Sequence, residues 1–164
     1  FSDPVALQSY RQWNTVQDLT LSENLRGSVY VKVTFRAPIS IAEAQNLVDA
    51  VGLDLEQVTI VGRDKEGQPY SGGTLSDGVD SVIGLGALKS VLEEKGVKLD
   101  GIMVIEGSVN RGNILQMLEI PQIYMLDVTT DFVFQKAQTA ETEFQGVIVP
   151  SPYWGLYLQW LQGP

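Results

Sequence analysis

The stretch SVYVKVTFRAP, from Ser28 to Pro38, places Val29, Val31, Val33 and Phe35 on one side and Tyr30, Lys32, Thr34 and Arg36 on the other. Successive side chains of a strand point to opposite faces, so this alternation predicts a strand with one buried and one wetter face, ended by Pro38. SIAE follows directly. Ser40 can accept from the Glu43 amide while the Glu43 carboxylate reaches back, which is a capping box. Ile41, Ala44, Leu47, Val48 and Val51 then fill one stripe of a helix that Gly52 is placed to end. EQVTIVG supplies a second strand from about Glu56 to Gly62. If the two strands of this unit are parallel, their crossover is expected to be right-handed.

On either side of this unit the pattern continues. Asp3 and Pro4 are an N-cap acid and a proline suited to a first helical turn, and Ala6, Tyr10 and Trp13 recur at helical spacing, which predicts a helix over about 4–18. The turn-rich stretch RDKEGQPYSGGTLSDG, from Arg63 to Gly78, reads either as a plain loop or as a short hairpin around Lys65 to Gly67. Val82, Leu85, Leu88, Val91 and Leu92 predict a helix, which Gly84 and Gly86 weaken by about 1 kcal/mol each relative to alanine. LDGIMVIE is apolar on both faces and predicts a central strand from Leu99 to Glu106. SVNRGNILQMLEIPQ predicts a short helix through Ile114, Leu115, Met117 and Leu118, stopped near Pro121. IYMLDVTTDFVF reads as a further strand, broken or bent near Thr129, and FQGVIV as a short one.

With the glycine-containing helix treated as an insertion, the core order is strand, helix, strand, strand, helix, strand, the split βαβ pattern. The expected fold is therefore an α+β, ferredoxin-like sandwich with an inserted helix and extra N- and C-terminal helices. At 164 residues it is expected to form one domain, with its core at about 28–130 and terminal helices at about 4–18 and 152–162.

The stretch from Ile102 to Val128, IMVIEGSVNRGNILQMLEIPQIYMLDV, resembles the second half of the subtilisin propeptide and peptidase-inhibitor family. An apolar strand, Gly107, a leucine-rich helix through Leu118, Pro121 and a closing strand with Ile123 and Val128 carry the likeness. It implies a ferredoxin-like fold and, as one functional alternative, a protease inhibitor. In that family a tail enters the protease active site, whereas this chain runs on past Val128 into an apolar segment.

Composition narrows the chemistry. The chain has no cysteine and no histidine, so no disulfide, thiolate nucleophile or zinc-thiolate site can form, and hydrolases that use a histidine base are excluded. Twenty acidic residues against eleven basic ones give a net charge of −9, which disfavours nucleic acid and anionic lipid as partners. No run of eighteen apolar residues predicts a transmembrane segment. The acidic balance, the missing cysteine and histidine and the abundant glutamine together suggest an extracytoplasmic location. A start at Phe1 suggests a processed or trimmed chain.

Three features are candidate sites. Tyr70, Gly72, Gly73 and Asp77 lie in GQPYSGGTLSDG, where converging amides could cradle an anion. The stretch lacks the lysine and spacing of a phosphate-binding P-loop, and an ordinary turn is the simpler reading. Asp64, Glu66, Asp77 and Asp80 could surround calcium or supply a carboxylate pair for a hydrolase, but their spacing departs from the EF-hand pattern, and turn formation is again favoured. No cofactor or metal is expected.

The third feature is the uncharged terminus SPYWGLYLQWLQGP. Ser151 as N-cap, Pro152 in the first turn and Gly163 at the end predict a helix of about ten residues, roughly 15 Å long and too short to span a bilayer. Trp154, Tyr157, Leu158 and Leu161 form a stripe expected to face the core. Tyr153, Leu156 and Trp160 form a second apolar face, expected to meet the N-terminal helix or to bind a protein partner or a second copy. The resulting expectation is a non-enzymatic, extracytoplasmic binding or assembly module. A propeptide-like inhibitor and a carboxylate-dependent hydrolase are its alternatives.

Overall fold

The computed structural model describes residues 5–6, 8–12, 14, 27–75, 90, 92–94, 96–139 and 152–163. Strand β1 (Ser28–Ile39) leads through helix α1 (Ile41–Val51) to β2 (Asp54–Arg63), which pairs with β3 (Pro69–Leu75). Then follow β4 (Lys98–Asn110), a 3-10 turn (Arg111–Asn113), α2 (Ile114–Leu118), β5 (Ile123–Asp127), α3 (Thr129–Thr139) and α4 (Tyr153–Gln162). Residues 5, 6, 8–12 and 14 are helical as well.

The strands form one open antiparallel sheet in the order β3-β2-β4-β1-β5. Strands β1 and β2 both run antiparallel to β4, so they are parallel to each other with β4 between them. Likewise β4 and β5 flank β1. Two strand–helix–strand units are thus interleaved, and the fold is α+β.

The alternation in β1 sorts side chains as its sequence predicts. Val29, Val31, Val33 and Phe35 are fully buried in the larger core, against Ala44, Val48 and Val51 of α1 and Ile114 and Met117 of α2. The capping box forms: Ser40 Oγ accepts from the Glu43 amide at 3.2 Å, and the Ser40 amide donates to Glu43 Oε2 at 2.8 Å. Gly52, at φ +60°, ends α1 in the left-handed conformation that glycine adopts without steric cost. Asn113 Nδ2 ties that end down by donating to the Val51 carbonyl at 2.8 Å.

Several expectations need correction. Pro38 does not end β1, which continues to Ile39; the pairing with β4 skips between Thr34 and Ile39, so the proline occupies an irregular stretch that needs no ladder donor there. Of the two readings of the run from Arg63, the hairpin around Lys65 to Gly67 is the one that forms. Asp64 Oδ1 accepts from the Glu66 and Gln68 amides at 3.0 and 2.7 Å, closing the turn between β2 and β3.

IYMLDVTTDFVF does break near Thr129, but only its first half is strand: β5 stops at Asp127 and the helix α3 starts at Thr129. Asp127 Oδ1 accepts from the Thr129 amide at 2.8 Å, and the Phe132 amide donates to the Val128 carbonyl. A carboxylate placed to cap the next residues overrides the strand preference of Thr, Phe and Val. The expected strand FQGVIV, the caps Asp3, Pro4 and Ser151, and most of the helix around Val82 to Leu88 lie outside the described residues, although Ser90 and Leu92 to Glu94 are helical.

Candidate functional site

Helix α4 lies on the sheet face opposite α1 and α2. Leu156 and Tyr157 are its buried residues, packed in a second core with Val61, Met103 and Val104 and bordered by Tyr124, Tyr153 and Leu161. An apolar ten-residue helix without a side-chain cap has little stability alone, so the sheet supplies most of it.

One polar cluster fixes its position. The Tyr157 hydroxyl, on a side chain with no exposed surface, is within hydrogen-bond reach of the Gly62 carbonyl and of Asp100 Oδ2, the latter at 2.8 Å, so one proton serves two acceptors. Arg63 Nε donates to Asp100 Oδ2 at 3.0 Å and Nη2 to Oδ1 at 3.3 Å, a two-pronged grip on a carboxylate that is 5% exposed. Burial, followed by the hydrogen bond that the hydroxyl donates to Asp100 and the charge of that carboxylate, pushes the Tyr157 phenol well above its ordinary pKa. The Asp100 hydrogen bond and charge hold Arg63 protonated. At the other end of α4, Tyr153 shares a 3.1 Å hydrogen bond with Ser71 of β3.

The outer aromatics are arranged around Tyr157. Trp154 lies 5.7 Å from its ring centre with planes at 49°, and Trp160 stacks at 6.0 Å and 19°. These two tryptophans remain 37% and 40% exposed. Helix α4 contains no charged residue.

The positions singled out in the sequence separate accordingly. Of Tyr153, Leu156 and Trp160, Leu156 is buried against the sheet, Tyr153 is half-buried on Ser71, and Trp160 is exposed. Trp154, expected to face the core, is exposed instead, because the stripe that meets the sheet is centred on Leu156 and Tyr157. Trp13, the expected neighbour of α4, lies outside the described residues.

Tyr70, Gly72 and Gly73 belong to β3 and pair with Gly62, Ile60 and Thr59, so they form a sheet edge and not a loop. A Cβ on Gly72 would sit 2.9 Å from the Tyr70 hydroxyl, so that glycine makes room for the tyrosine packed on the main core. Asp77 and Asp80 lie outside the described residues, while Asp64 is engaged in its turn. Among the described residues no three Asp or Glu side chains gather as a metal site, and no helix is long and apolar enough to cross a membrane.

Sequence reasoning missed Asp100 and Arg63. The available signal was an aspartate set directly before the apolar run of the strand, in KLDGIMVIE. Comparisons with protein-family models, curated proteins and solved structures return no match.

Proposed function

We propose that the chain is a non-enzymatic binding or assembly module whose contact surface is α4, with a second copy of the chain as its partner. The observation that carries this reading is the pair of partly exposed tryptophans, Trp154 and Trp160, on a helix without charge. Chains of net charge −9 repel one another, and an uncharged aromatic face is where two of them meet at least electrostatic cost. Tryptophans are also the residues most enriched at interface hot spots. The Tyr157–Asp100–Arg63 cluster supports the reading because it fixes the helix before any contact is made, which lowers the ordering cost of association. Placement outside the cytoplasm rests on composition alone.

Light scattering across a concentration series tests the proposal. Mass should rise with concentration for the native chain and stay monomeric for Trp160→Ala and Trp154→Ala. A native chain that stays monomeric at high concentration would refute self-association.

The fold is read here as ferredoxin-like. The order β2-β4-β1-β5, with β1–α1–β2 and β4–α2–β5 interleaved, supports that reading, to which β3 and α4 are additions. The same order favours a second reading, a propeptide-like protease inhibitor. Undiminished hydrolysis by a panel of subtilisin-like proteases would remove it.

A further inference from the structure

Among the described residues, two buried side-chain polar atoms meet no hydrogen-bond partner, both on the second sheet face: Asn14 Oδ1 and Thr34 Oγ1, on side chains that are 1% and 0% exposed. Asn14 belongs to the N-terminal helical residues, and its Nδ2 donates to Asp127 Oδ2 at 3.1 Å. Asp127 pairs with Lys32 and Met125 with Thr34 across the β1–β5 ladder, which puts Thr34 diagonally beside Asp127 on the face that carries Lys32. Both orphaned atoms therefore lie over the same patch of β1 and β5.

With Nδ2 donating to the Asp127 carboxylate, Oδ1 is left needing a donor. Among the described residues no donor reaches Asn14 Oδ1; the nearby Lys32 Nζ pairs with Glu106 at 3.0 Å. An unpaired buried polar group bears its desolvation cost uncompensated, and folded proteins satisfy nearly all such groups within the chain or with buried water.

We propose that one structural water lies between the N-terminal helix and the sheet, donating to Asn14 Oδ1 and accepting from the Thr34 hydroxyl. It ties the helical residues around Arg11 and Asn14 to strands β1 and β5, alongside the Asn14–Asp127 hydrogen bond and Arg11 itself, whose guanidinium lies 4.9 Å from the centre of the Tyr124 ring.

Two measurements test it, and failure of either overturns it. A crystal structure of the native chain should place an ordered water within about 3.2 Å of both atoms. Dry density, or a direct Asn14–Thr34 hydrogen bond, refutes the site. In urea unfolding, Thr34→Val should lower the folding equilibrium constant about three- to tenfold, because it takes a partner from the water. In a dry site the same substitution removes an unsatisfied hydroxyl at nearly constant shape, so a neutral or stabilised Thr34→Val refutes the proposal.

Discussion

Replacing Tyr157 with phenylalanine removes one oxygen and keeps the ring that packs against Val61, Met103 and Val104. What is lost is the hydroxyl between the Gly62 carbonyl and Asp100 Oδ2. Arg63 still holds Asp100, so the loss is close to one charge-assisted hydrogen bond in a fully buried position, about 1.5–3 kcal/mol. In a chain of this size each kcal/mol shifts the melting temperature by about 2–4 °C, so the variant should melt roughly 3–12 °C lower. Urea unfolding followed by tryptophan fluorescence suits the measurement, since Trp154 and Trp160 both stand within about 6 Å of the Tyr157 ring. Tyr153→Phe is the internal comparison. Among the described residues its hydroxyl meets the neutral, part-buried Ser71, and it should cost no more than about 0.5–1.5 kcal/mol. A Tyr157→Phe chain within about 0.5 kcal/mol of the native one, or less affected than Tyr153→Phe, would refute the view that this hydroxyl fastens α4.

Gly107, opposite Val31 of β1 and Leu55 of β2, sits where a Cβ would overlap the Asp54 carbonyl oxygen. Gly107→Ala should therefore lower stability by about 1–3 kcal/mol in urea, and an unchanged midpoint would show that β2 yields freely. Alkaline titration probes two shielded phenols, Tyr157 buried and Tyr30 half-buried. Tyr30 and Tyr157 are both raised from an ordinary value near 10, chiefly by burial and then by Glu106 and Asp100 respectively. The folded chain thus binds more protons than the unfolded one above pH 10. The stability these phenols contribute is complete below that pH and falls as pH rises, by up to about 1.4 kcal/mol per pH unit for each. At 295 nm, at least two of the six tyrosines should ionise only as the chain unfolds; six ionisations with the far-UV circular dichroism of the folded state intact would contradict this.

Much of the main core is legible residue by residue. Period-two alternation in β1 and the Ser40–Glu43 box of α1 encode local geometry, and local geometry is what a sequence pattern records. The hairpin was harder to read. PYSGGTL has little apolar content and forms a strand because β2 offers it an edge to pair with. Helix α3 was misread because its start depends on one carboxylate, Asp127, presented from the end of a strand. For the candidate site, Trp160 was legible as an aromatic on a terminal helix. Its helical spacing alone could not say which of two apolar stripes would lie on the sheet.

By itself the sequence determined the strand–helix–strand unit, the terminal helix and the absence of histidine, cysteine and α4 charges that frames any function. The tertiary structure decided which face of α4 is buried. Tyr157 finds Gly62 and Asp100, two acceptors from different strands that only the pairing of β2 with β4 brings together, and that satisfied buried hydroxyl turns Leu156 inward and leaves Trp154 and Trp160 at the surface. Periodicity counts apolar positions along one helix; the location of buried polar partners is a property of the assembled sheet.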